Sequence, residues 1–211
     1  MSLLLDLLFP KTCYGCGSIG QYFCSKCFSQ VRQNSVKHFS NFSKEGSLSL
    51  FRYQGIIRSI IQSLKYEFVT DLVQDLSLSF SQTIKSDFPH LLSYWQKNNF
   101  VLTPIPLFWT RQNWRGFNQS VLLGQQIAQQ LNLNFNDQII YRHRRTFTQA
   151  KIKTRHLRQQ NISHAFTPIL PLPQNIILFD DVTSSFSTLN SAYDSIKSFG
   201  LNRCWYLTLA G

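Results

Sequence analysis

Two groups of residues in this chain have types and spacings that can do chemistry. Near the N-terminus, Cys13-x2-Cys16 is followed after seven residues by Cys24-x2-Cys27. Two such pairs bring four thiolates around one ion, and Gly15 and Gly17 allow the tight turns this requires. Tetrahedral Zn2+ accepts four sulfurs and makes a closed, structural site. Two disulfides are the competing arrangement, but a reducing compartment disfavours them. A redox pair is the third, and the doubling of the motif argues against it. Cys204 stands alone in RCWYLTLA and reads as a small buried apolar group in a strand.

The second group lies near the C-terminus. Asp180 and Asp181 close the apolar run Ile176 to Phe179 and are followed by Thr183, Ser184, Ser185, Ser187 and Thr188. Adjacent carboxylates can take the hydroxyls of a sugar while a hydroxyl-rich loop takes its phosphate. A helix N-terminus adds free N–H groups and a positive dipole end. The plainer alternative is a strand with an acidic end and serine caps on the next helix. Taken alone, the residues leave both readings open.

The elements that must position these groups follow from periodicity. Ile176 to Phe179 is short and apolar throughout, as in a strand covered on both faces of a parallel sheet. Open sheets of this class bind ligands at the carboxyl ends of their strands. Leu189 to Phe199 carries a helical pattern, as does Asn118 to Leu131. In Phe51 to Tyr66 the residues Ile56, Ile57, Ile60, Ile61 and Leu64 share one helical face, which is the pattern of a docking helix. Residues 69–97 read as one or two helices interrupted around Asp87 to Pro89. Phe100 to Pro106 and Ile139 to Arg142 read as strands, and the Ser- and Asn-rich residues 29–50 as a linker. Alternation of strands and helices from residue 100 onward predicts an α/β fold.

Charge narrows the partners. The formal net charge is +11, and residues 88–179 hold 10 Lys or Arg against the single acid Asp137. Arg142, Arg144, Arg145, Lys151, Lys153, Arg155 and Arg158 form a basic run without an acid. Such a field favours nucleic acid, phosphate ligands or an anionic surface. Trp109, Trp114, Phe117, Tyr141 and Phe147 lie near basic groups, where rings can stack on bases, although aromatics more often belong to a core. No apolar run of about 18 residues is present, so no membrane span is expected. The opening MSLLLDLLFP lacks a basic start and is interrupted by Asp6, which argues against a signal peptide and for a cytoplasmic protein.

The apolar strand, paired aspartates and hydroxyl loop resemble the phosphoribosyl-pyrophosphate (PRPP) motif of type I phosphoribosyltransferases. More narrowly, the chain resembles the ComF family of competence proteins. The likeness runs through the Leu-rich start with Phe9-Pro10, the four cysteines, Tyr53-x-Gly55, Leu64-Lys65-Tyr66, Arg115 to Gln119 in RGFNQ, and Thr146 to Gln149. It implies a small N-terminal zinc finger over residues 1–35. It also implies, over residues 50–211, a phosphoribosyltransferase-like domain with a twisted, mostly parallel sheet flanked by helices. Asp180, Asp181 and the loop Thr183, Ser184, Ser185, Phe186, Ser187 and Thr188 would bind PRPP with Mg2+, and Arg111 and Arg115 its pyrophosphate. The family's loop reads like Thr-Thr-Gly-Ala-Thr, so Phe186 stands at the glycine position.

Family likeness further implies cytoplasmic handling of incoming single-stranded DNA during natural transformation, with the seven basic residues as DNA contacts. Other competence proteins, such as a DNA helicase, would be partners. A phosphoribosyltransferase acting on an unknown acceptor is the alternative. Phe186 and the lack of a motif for an acceptor base put the binding role ahead.

Overall fold

The computed structural model describes residues 10–33, 38–42, 45–144 and 165–211. After the cysteine-bearing turns comes α1 (Ser25–Gln33), then β1 (His38–Phe42), β2 (Glu45–Phe51) and α2 (Gly55–Gln62). A π-helical turn, Ser63–Glu67, continues α2 and leads to α3 (Leu72–Asp87) and α4 (Pro89–Lys97). The chain goes on through β3 (Val101–Pro104), α5 (Trp109–Arg115), α6 (Gln119–Leu131), β4 (Asn134–Phe135) and β5 (Ile140–Arg142). It ends with β6 (Phe166–Pro168), β7 (Asn175–Val182), α7 (Ser187–Ile196) and β8 (Arg203–Ala210).

Six strands form one sheet in the order β1-β2-β8-β7-β3-β4. Only the β1–β2 pair is antiparallel; every other pair runs parallel. The expected α/β class with a mostly parallel sheet flanked by helices is the class observed. β5 and β6 form a separate antiparallel pair.

The period of two along β7 explains its unbroken apolar run. Ile177 and Phe179 enter one buried cluster with Ile57, Ile60, Ile61, Phe80 and Ile127 of the helices. Ile176 and Leu178 enter the other, with Leu189, Ala192 and Ile196 of α7 and Phe166 of β6. A strand sheathed on both faces has no polar side to show. The same rule places Cys204 in the second cluster and Trp205 in the first. Cys204 is buried in β8, as expected.

Two segments differ from the expectation. The described residues of 29–50 are no linker: they hold the end of α1, all of β1 and most of β2, and β2 pairs in parallel with β8. Leu48 and Leu50 alternate there with Ser47 and Ser49, and all four are buried. Serines on the second face give a strand the composition of a linker. The other is the segment after β3, where the resemblance implies a pyrophosphate-binding loop: Trp109–Arg115 forms the helix α5, ended by Gly116 at φ +75°. A glycine in that left-handed conformation is the usual close of a helix. The helix pair around Asp87 to Pro89 falls as expected, with Pro89 opening α4 where its missing N–H costs nothing.

Candidate functional site

The four N-terminal cysteines come together. Their sulfurs all lie within 4.8 Å of one another. Cys13 and Cys24 are 3.6 Å apart and Cys16 and Cys24 3.7 Å. A tetrahedral zinc with bonds of about 2.3 Å places its sulfurs about 3.8 Å apart, so the donor set can hold that ion. A Cβ on Gly15 would lie 2.6 Å from Cys27 Sγ, so only glycine fits at this position. Left to themselves, the thiols do not ionise together. The Ser18 hydroxyl and its backbone draw Cys16 down to about 6, while burial pushes Cys27 up to about 12. Cys13, Cys16, Cys24 and Cys27 would all be held as thiolates by a divalent cation, which would resolve that conflict.

This module packs on the body. Cys13, Phe23, Cys27 and Phe28 lie in the same buried cluster as α2, α3 and α4. Asp75 of α3 accepts a hydrogen bond from the Tyr22 N–H at 2.8 Å. Arg32 pairs with Asp87 and donates to Ser86 at 2.8 Å.

The second site is assembled at the carboxyl ends of β7 and β3. Asp181 is buried, and its Oδ2 meets Lys65 Nζ at 2.6 Å. Its Oδ1 accepts from the Val182 N–H at 3.0 Å. Lys65 arrives from the π-helical turn after α2. That turn buries Leu64 with the apolar face of α2 and delivers the ammonium to the strand edge. Burial alone would lower the Lys65 pKa, but the Asp181 carboxylate, helped by Asp180, raises it overall.

Asp180 has other partners. Its Oδ1 accepts from Ser120 Oγ at 3.0 Å and from the Asp181 N–H at 2.9 Å. Ser120 is placed by the start of α6, where Asn118 caps the Ser120 N–H at 3.0 Å and donates to the Ile105 carbonyl at 3.1 Å. Burial first, and the neighbouring Asp181 charge second, push the Asp180 carboxyl up to about 7. Arg142 of β5 lies close enough to feel both Asp180 and Arg111. Burial and the like charge of Arg111 draw it down to about 10. The Lys65 ammonium and the Arg142 guanidinium thus lie by two carboxylates at the carboxyl end of β7, with Arg111 near Arg142, an arrangement able to hold phosphate on one side and sugar hydroxyls on the other.

Phe186 takes the backbone conformation that glycine would take. Its φ is +54°, at the N-cap of α7. The ring turns onto Tyr206, with centroids 6.1 Å apart and planes at 28°, against the second apolar cluster. Its N–H donates to Thr183 Oγ1 at 2.9 Å. Ser185 and Ser187 share a hydrogen bond of 2.6 Å, and Ser184 is exposed.

The other expected cations have partners of their own. Arg115 sits over the Tyr66 ring at 5.3 Å and donates to Gln119 at 2.7 Å. Arg142 is buried over Phe166 rather than on the surface with Arg144. Arg145, Lys151, Lys153, Arg155 and Arg158 fall outside the described residues. Lys65 and Ser120 were not among the expected site residues. For Lys65 the available signal was a lysine set between Leu64 and Tyr66 at the end of an apolar helical face.

No family model matches the chain. It is 28% identical to competence protein F of Haemophilus influenzae over 96% of its own length and 86% of that protein. It is 40% identical to DNA utilization protein YhgH of Salmonella typhimurium and 37% identical to YhgH of Escherichia coli. Each of these two matches covers 42% of the chain and 39% of the relative, so the chain spans about two fifths of their length. With a likeness to competence protein F over nearly its whole length, the chain is a homologue of that protein.

Proposed function

We propose that this protein handles single-stranded DNA in the cytoplasm during DNA uptake, and that its strand-edge site binds a phosphoribosyl ligand such as PRPP. The observation that supports the reading most is the sheet edge of a competence protein F homologue, where Asp180, Asp181, Lys65 and Arg142 converge. The cysteine module is the zinc-holding unit, and the six-stranded sheet with its helices is the ligand-binding body. In the body, Asp180 accepts ribose hydroxyls, the loop Thr183 to Thr188 takes the 5′-phosphate, and Arg111 with Arg142 faces the pyrophosphate. Mg2+ bound with PRPP would supply charge neutralisation of its phosphates. Cytoplasmic competence proteins, a DNA helicase among them, are the partners that fit this role. No helix among the described residues is long and apolar enough to cross a membrane.

The DNA part predicts a steep salt dependence. Replacing Arg144, Arg145 and Arg155 with Ala should flatten the slope of log affinity against log salt by about 2, at roughly 0.7 per phosphate contact on a single strand. Fluorescence anisotropy across a salt series measures it, and an unchanged slope would move the DNA path elsewhere. For the pocket, calorimetric titration with PRPP and Mg2+ should show binding that Asp180→Asn weakens about ten- to a hundredfold, the usual effect of losing one charged hydrogen bond. Asp180 is the residue to change, because Asp181→Asn would strand the buried ammonium of Lys65.

A second reading, phosphoribosyl transfer to an acceptor, draws on the same geometry. Pyrophosphate would leave the ribose through a cationic state that the paired carboxylates stabilise. Asp180, held at about 7, can also exchange a proton near neutral pH. Pyrophosphate release from PRPP with a panel of acceptors separates transfer from binding.

A further inference from the structure

Beside the strand-edge site lies a group of exposed rings that the carboxylates do not use. Tyr66, Phe68 and Trp114 are 54%, 44% and 61% exposed. They belong together: Phe68 and Trp114 have centroids 5.7 Å apart with planes at 61°, and Tyr66 and Trp114 are 6.4 Å apart at 55°. Phe117 closes the base of the group, 6.3 Å from Phe68. Water-facing aromatic clusters of this kind forgo burial that a core would give them, and they mark contact surfaces. The backbone that presents them is unusual as well. Tyr66 lies in the π-helical turn Ser63–Glu67, and Phe68 follows it at φ +59°. A bulky residue in that region is strained, and π-turns often occur at functional sites.

The geometry selects an occupant. The rings meet one another at steep angles, so they do not cover each other's faces by stacking. Arg115 lies 5.3 Å over Tyr66, and Arg111 and Arg115 are the only charged residues between Trp109 and Gln119. The Phe68 and Trp114 faces left open beside the Arg115 guanidinium suit a flexible polyanion that carries flat rings of its own, with Glu67 between Tyr66 and Phe68 as the one acid among the rings.

We propose that Tyr66, Phe68 and Trp114 form a platform on which unpaired bases of single-stranded DNA stack, with Arg115 holding Tyr66 and facing the phosphates. The inference rests on the DNA-handling reading and names how the strand is held. The π-turn ties the platform to the pocket, because the same five residues send Lys65 inward to Asp181 and leave Tyr66 outside.

The test compares oligo(dT) with an abasic oligonucleotide of the same length on the full chain. Wild type should favour oligo(dT), and its tryptophan fluorescence should be quenched by oligo(dT) more than by the abasic strand. Trp114→Ala should weaken oligo(dT) about tenfold, a typical effect of losing one stacked base. It should leave abasic binding and the salt slope unchanged, and Trp114→Phe should restore much of the loss. Circular dichroism and zinc content identify any variant that fails to fold. Phe68→Ala then gives an independent reading of the same platform. If wild type binds both strands equally and Trp114→Ala changes neither, the platform is overturned while the DNA-handling reading stands. If no DNA binds at all, that reading itself fails. A Trp114→Ala protein that loses self-association in sedimentation, with its DNA affinity intact, would assign the rings to a contact between copies and overturn the proposal.

Discussion

The cysteine cluster and the strand-edge site are built in opposite ways. All four sulfurs come from the segment Cys13 to Cys27, so local turns bring them within reach of one another. The strand-edge site draws Lys65, Ser120, Arg142 and Asp180 from four segments, and Ser120 and Asp180 alone are 60 positions apart. A local site is completed by its ion, whereas a distributed one exists only while the sheet holds its register. The two should therefore respond to damage in different ways.

The largest effect expected is loss of the ion. Cys24→Ser should abolish binding of about one zinc per chain, a single four-thiolate site. Loss of a structural metal belongs to the few mechanisms that cost about 4 kcal/mol or more. Phe23 and Phe28 share a core cluster with α2 to α4, so the loss should reach the whole body in urea denaturation. Metal analysis showing full zinc in the variant would remove the cluster from one side of the comparison.

Changes at the strand edge should instead separate function from stability. The Asp180 carboxyl is raised to about 7, so its protonated form is the one that folding favours. That contribution is complete below the unfolded value of about 3.9 and is lost as pH rises through about 7. At pH 8 the ionised group opposes folding, by at most about 4 kcal/mol at 1.36 kcal/mol per unit; partial solvent access reduces the figure. Asn keeps an acceptor for Ser120 and carries no charge. Asp180→Asn should therefore be more stable than wild type at pH 8, with the gap closing toward pH 4, while its PRPP affinity falls. Thermal melts at both pH values measure this, and an equal gap at both would show that Asp180 does not titrate as its surroundings dictate.

The same contrast accounts for what could be read in advance. The CxxC spacing predicts a metal cluster because ligand geometry is written into a few consecutive residues. The run Ile176 to Phe179 predicts a doubly covered strand because both its faces are apolar. β2 escaped notice because Ser47 and Ser49 interrupt Leu48 and Leu50, and a buried serine has the composition of an exposed one. Lys65 and Ser120 escaped because nothing local tells a solvated lysine or a capped serine from one that the fold carries to a carboxylate. Arg142 reads as one more member of a basic run, and only the β5–β6 pair buries it over Phe166.

The smallest effect expected concerns Phe186, and it separates backbone from side chain. A non-glycine residue at φ +54° bears a cost of about 1–2 kcal/mol relative to the right-handed region. The ring on Tyr206 offsets that cost with stacking and partial burial, about 1–2 kcal/mol for a half-buried aromatic. Removing the ring alone, as Phe186→Ala, keeps the strain and loses the compensation, so the variant should fall by about 1–2 kcal/mol. Phe186→Gly loses the ring and relieves the strain together. Its greater unfolded-state entropy takes back about 0.5–1 kcal/mol, which leaves it within about 1 kcal/mol of wild type. Glycine should therefore be the more stable of the two replacements, the reverse of their order in an ordinary helix or strand. Urea midpoints of the three proteins test this directly, since the site of substitution is the same. An alanine variant as stable as the glycine one would mean that the turn stores no more strain than glycine's entropy cost of about 0.5–1 kcal/mol. The Phe186 ring would then sit against Tyr206 for packing alone, with no part in shaping the loop from Thr183 to Thr188.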